Sequence, residues 1–139
     1  MSRSYIIGSG ILLGALLAMA GARNVSADPV DDLLKEYTAQ GASNFSAQAG
    51  ERFWDHPVTD QKSGEVRRCS LCHSTDLRRT GKHATTGKLI EPLAPSVNPK
   101  RLSNRADIEK WLLRNCKWTL GRECTPQEKG DVLVMIRSR

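Results

Sequence analysis

With 139 residues, 5% aromatic and 26% charged, the chain has room for one small domain and too little aromatic mass for a large self-sufficient core. Its formal charge of +6, from 21 basic and 15 acidic residues, is mild and spread along the chain. With no nucleic-acid motif beside it, that balance argues against a nucleic-acid binder; it would suit an acidic protein partner, but charges this scattered read first as a solvated face.

Residues 1–5 carry one positive charge, Arg3, and residues 6–20 are apolar, diluted by Gly8, Ser9, Gly10 and Gly14. Small residues follow, and Val25-Ser26-Ala27 reads as the best cleavage site ahead of Ala20 and Ala22. Residues 1–27 therefore read as a secretory signal peptide, too short and without the flanking charges of a stop-transfer anchor. The expectation is export to the periplasm with no stable membrane insertion after cleavage. The domain at 28–139 then carries 19 basic against 15 acidic residues, because only Arg3 and Arg23 leave with the leader.

Residues 28–40 predict a helix, with Val30, Leu33, Leu34 and Tyr37 on one face and Asp28, Asp31 and Asp32 in the first turn. The stretch Gly41-Ala42-Ser43-Asn44 ends it, and a second helix is expected over 46–56, stopping before Pro57. Residues 58–66 read as turn. Residues 81–99 read as a long irregular loop, since three prolines and two glycines oppose regular structure; a loop that long in a small domain is usually functional. Asn104 is placed to cap a helix over 105–115, and Thr125-Pro126-Gln127-Glu128 is a capping box opening a last helix to about residue 137. The pattern is all-α.

Between the turn and the loop lies Cys69-Ser70-Leu71-Cys72-His73. Three chemistries use a C-x-x-C pair. Zinc needs four ligands, and Cys116 and Cys124 would have to complete the set from a spacing wider than usual. A thiol–disulfide pair expects a βαβ setting, which is absent here. Covalent haem c needs two thiols spaced for the two vinyl groups and an imidazole directly after them to bind the iron. In a small exported helical domain the haem reading is preferred, with Cys69 and Cys72 as thioether donors and His73 as proximal iron ligand; the porphyrin would supply much of the missing apolar mass. Cys116 and Cys124, eight positions apart in a compartment where disulfides persist, can close a short loop contributing about 2.5 kcal/mol.

The opposite face of the iron is less determined. Met135, the only methionine beyond the leader, lies in the apolar stripe of the last helix, while His83 and His56 sit in loop settings. On the helix before Cys116, Ile108, Trp111, Leu112 and Asn115 share one stripe. An amide buried there without a partner would cost about 1–3 kcal/mol. Asn115 could end the helix in a left-handed conformation, bond a backbone group of the proline loop, or turn its carbonyl oxygen to the iron.

The chain resembles the SHP (sphaeroides haem protein) family of monohaem cytochromes c. The matching blocks are the C-x-x-C-H run, TGKLIEPLAPSVNPKR, EKWLLRNC and GRECTPQEKGDVL. The resemblance implies a class I cytochrome c fold, one covalently bound haem c, Asn115 as the distal ligand to the oxidised iron, and a Cys116–Cys124 disulfide. It also implies that a diatomic molecule such as oxygen or nitric oxide replaces the asparagine on reduction, and that a dihaem or other cytochrome c donates the electron. Trp111 and Leu112 are expected to wall the pocket, and the Leu93-Ala94-Pro95 loop to offer His73 a backbone carbonyl. Gly50 and Trp54 match the crossing of the first and last helices in class I cytochromes. The stretch 81–87, with His83, is one residue longer than the family pattern. No acid–base pair marks a catalytic pocket.

Overall fold

The computed structural model describes residues 28–139; the leader read over 1–27 lies outside the described residues. Helix α1 spans Pro29–Ala39 and α2 spans Ala47–Asp55. Asp28 caps α1 by accepting from the Val30 amide at 2.8 Å, and Ser46 caps α2 by accepting from Ala49 at 3.3 Å. Strands β1, Val58–Thr59, and β2, Val66–Arg67, form a small antiparallel hairpin. Asp60 fixes its turn by accepting from the Lys62 and Ser63 amides. The C-x-x-C-H motif makes the single helical turn α3, Ser70–His73.

Three sequence expectations need correction. Residues 58–66 are not all turn, because Val58 and Thr59 pair with Arg67 and Val66. Residues 81–99 are not wholly irregular: β3, Gly81–Lys82, pairs antiparallel with β4, Leu89–Ile90. The connection is closed by the His83 amide donating to the Lys88 carbonyl at 2.8 Å and by Gly87 in a left-handed conformation, φ +68°. The prolines that oppose strand structure all come after this hairpin. Helix α4 runs over Arg105–Leu120, five residues past Asn115. Asn104 starts it as expected, but nothing in Cys116-Lys117-Trp118-Thr119-Leu120 opposes a helix, and the stop comes at Gly121, φ +70°. The last helix, α5, spans Pro126–Arg137 and opens with the capping box read from the sequence.

The framework is the crossing of α2 on α5. A Cβ on Gly50 would lie 2.4 Å from the Asp131 carbonyl oxygen and 2.7 Å from Met135 Cβ, so only glycine lets the helices approach this closely. The helix that makes the crossing expected of Gly50 is thus the second of this chain, with α1 packed on the other side of α5. One cluster of buried side chains joins Val30, Leu33 and Tyr37 of α1 to Ile108 and Leu133. Another joins Trp54, Leu77 and Ala94 to Val132, Met135 and Ile136. Leu33 and Leu133 are at most 1% exposed, and burial of each contributes about 2 kcal/mol. Asp131 is buried inside the α5 stripe, where its carboxylate accepts from the Ser46 amide at 2.7 Å and from Gln127 Nε2 at 3.1 Å. A lone acid among apolar neighbours was the only sequence sign of this tie.

Candidate functional site

The last turn of α2 holds the C-x-x-C-H segment in place. Trp54 Nε1 donates to the Ser74 carbonyl at 2.9 Å, and its ring lies 5.5 Å from that of His73. Ser70 Oγ donates to Asp55 at 2.5 Å, and Arg68 stands 3.6 Å from the same carboxylate. The Ser70 hydroxyl, followed by the Arg68 charge, holds the Asp55 carboxyl below its ordinary range. From the other side β3 packs directly on the motif. A Cβ on Gly81 would fall 2.2 Å from the Cys72 carbonyl oxygen, and the Ala84 amide donates to Cys72 Sγ at 3.3 Å.

The donor set discriminates among the three chemistries. Cys116 and Cys124 are joined, with their Cα atoms 5.5 Å apart, so they cannot complete a zinc site. Cys69 and Cys72 are free, half-buried thiols. Burial pushes the Cys69 thiol up to about 11, the opposite of the lowered value an exchange thiol needs. His73 Nδ1 is buried without a hydrogen-bond partner. Burial, reinforced by the positive charge of Arg101 and by His83, brings the His73 imidazole down to about 4, so it is neutral near pH 7. Two reduced thiols and a neutral imidazole in consecutive positions fit a covalently attached haem.

The carbonyl expected to orient His73 is not offered by the Leu93-Ala94-Pro95 loop. The amides of Leu93 and Ala94 both donate to the Leu77 carbonyl, fastening the loop beside the motif. The neighbouring Pro92 carbonyl is taken by Arg101 Nε at 2.9 Å and Asn98 Nδ2 at 3.1 Å.

Helix α4 supplies the other wall. Thr119 is buried, and its side chain acts to lower the Cys69 thiol against the larger effect of burial. Asn115 lies one turn before Thr119 on the same face, half-buried, and its amide makes no hydrogen bond among the described residues. Leu112, a turn further back, packs against both core clusters. Trp111 is 49% exposed, flanked by Lys110 and Arg114, so the structure puts it at the edge of this wall. Mid-helix placement removes the helix-ending role weighed for Asn115.

Arg67, two residues before Cys69, was not singled out in the sequence. It pairs with Asp60 at 2.8 Å, donates to the Trp118 carbonyl at 2.9 Å and lies 4.8 Å over the Trp118 ring. It thereby ties the motif to the end of α4 that the disulfide also restrains. A contact over this separation leaves no periodic trace in a sequence.

The alternative axial ligands have other work. Met135 is 2% exposed within the α2–α5 crossing. His83 Nδ1 accepts from the Thr85 and Thr86 amides, each at 3.2 Å, shaping the β3–β4 turn. His56 is the exposed residue closing α2.

A helical fold of this order, built around a C-x-x-C-H turn, is that of a c-type cytochrome, which binds haem covalently. The chain matches the family described as domain of unknown function DUF1924 over residues 40–136. It is 36% identical over 135 residues to the cytochrome c-type protein SHP of Cereibacter sphaeroides, covering 97% of this chain and 98% of the relative. The structure of oxidized SHP, an oxygen-binding cytochrome c, superposes with a TM-score of 0.70 at 35% identity, over 79% of this chain and 96% of that one. Oxidized cytochrome c'' from Methylophilus methylotrophus also gives 0.70, at 28% identity, over 80% and 94%. The chain belongs to the SHP family of cytochromes c.

Proposed function

We propose that the chain is an exported monohaem cytochrome c in which Asn115 guards the sixth coordination position of the iron and yields it on reduction. Cys69 and Cys72 would anchor the cofactor and His73 would hold the iron from the proximal side. Haem c supplies a one-electron iron centre. The observation that carries the reading is the seating of α4 against the attachment segment, where Arg67 donates to the Trp118 carbonyl at 2.9 Å, with the unpartnered Asn115 amide on the same helix. The side-chain oxygen of asparagine is a hard, weak donor, suited to ferric iron and poorly matched to ferrous iron. Asn115 would therefore release on reduction, leaving the position open to a diatomic molecule such as oxygen or nitric oxide, with Leu112 and Trp111 on the same helix. Support comes from the SHP relative, named as oxygen binding, and from a solution structure of cytochrome c'' that addresses haem-ligand detachment. Another cytochrome c, such as a dihaem protein, would donate the electron.

Asn115→Ala tests this. The oxidised variant is expected to take up azide faster and more tightly than the wild type, followed by absorbance, with the helical circular dichroism unchanged. Azide binding identical to the wild type in rate and affinity would remove Asn115 from the iron.

A further inference from the structure

Counted segment by segment, the charge of the domain is unevenly divided. Residues 67–101, which carry the attachment motif and both loops packed on it, hold eight basic and two acidic residues. Residues 28–66, the first two helices and hairpin, hold three basic and eight acidic. Within the basic segment, Arg67 is spent on Asp60 and Arg101 on backbone carbonyls. Arg79, Lys82 and Lys88 are exposed and make no ion pair among the described residues. Lys82 and Lys88 flank the β3–β4 turn, where the Lys82 stem lies against Gly87. This hairpin is the element whose Ala84 amide touches Cys72 Sγ and whose Gly81 backbone rests on the Cys72 carbonyl. Two large apolar side chains belong to the same region: Leu71, from inside the attachment motif, 50% exposed, and Leu89, paired in register with Lys82, 70% exposed. Exposed apolar side chains and unpaired cations on the elements that adjoin a cofactor anchor have the composition of a steered transient interface.

We propose that the β3–β4 hairpin with Leu71 is the docking face through which an acidic electron-transfer protein delivers an electron to this cytochrome. Lys82, Lys88 and Arg79 attract the partner, and Leu71 and Leu89 form the dry contact. One electron leaves the partner's reduced centre and converts ferric to ferrous iron here. The inference rests on the cytochrome reading above and is independent of the identity of the sixth ligand.

The probe is an acidic [2Fe–2S] ferredoxin titrated into ¹⁵N-labelled holoprotein at low salt. Expected are amide shifts centred on residues 71 and 79–89, abolished at high salt, with binding weakened about tenfold in Lys82→Glu/Lys88→Glu and unchanged in Lys35→Glu/Lys110→Glu. Reduction by the reduced ferredoxin should slow in parallel. Shifts centred elsewhere, or equal losses in the two double variants, would overturn the docking face. Binding of anionic phosphatidylglycerol vesicles through Lys82 and Lys88, with ferredoxin unaffected, would reassign the face to a membrane surface and also overturn it. A holoprotein that dithionite cannot reduce would sink the cytochrome reading itself.

Discussion

The α2–α5 crossing and the segment 67–103 are held together by different means. The crossing is filled by its own side chains: Gly50 seats on Asp131 and Met135, with Val132, Leu133 and Ile136 buried around it. The segment buries only Leu77 and Ala94 as apolar residues and is otherwise fastened by hydrogen bonds to backbone, from Leu93 and Ala94 to Leu77, from Arg101 to Glu91 and Pro92, and from Asn98 to Pro92. Hydrogen bonds fix geometry at a net gain of about 1 kcal/mol each, whereas burial of apolar surface supplies most of the stability. A region with little core of its own depends on what it wraps, and this one wraps the attachment motif.

The sharpest way to break the contrast is to remove the cofactor anchor. In Cys69→Ala/Cys72→Ala, amide hydrogen exchange in 67–103 should rise to near-unstructured rates while residual protection concentrates at the α2–α5 crossing. Uniform loss of protection along the chain would refute the division. The complementary insult falls on the framework. Gly50→Val drives side-chain atoms into Asp131 and Met135 and should cost about 3 kcal/mol in denaturant unfolding of the holoprotein. A cost under about 1 kcal/mol would mean the helices can part without penalty. The smallest effect concerns Tyr37, whose phenol burial pushes up to about 12 from an ordinary 10. Between those values the unfolded chain loses the proton and the folded chain keeps it, so stability falls as pH rises from about 10 to 12. Tyr37→Phe should flatten that alkaline slope in thermal melts, and an unchanged slope would point to other groups.

Local signals made much of the framework legible. The cap at Asp28, the capping box at Thr125 and the apolar stripes of α1 and α5 are decided within a few residues of themselves. The length of α4 and the β3–β4 hairpin were misjudged because Asn115 and the glycines can end or permit structure, and only their surroundings choose. The attachment motif was plain because its chemistry is consecutive in the chain. Thr119, Arg67 and Asp131 were not, because each acts on a partner that folding alone brings near: Cys69, Trp118 and Ser46.

The central claim is that an asparagine oxygen leaves ferrous iron and exposes a coordination position. Carbon monoxide added to the dithionite-reduced holoprotein tests it in one absorbance measurement. A release mechanism gives a high-spin ferrous spectrum that shifts at once to the low-spin carbonyl form. A ferrous spectrum that is already low-spin and indifferent to carbon monoxide would mean that a permanent sixth ligand, His83 or Met135, holds the iron and that the protein is a plain electron carrier.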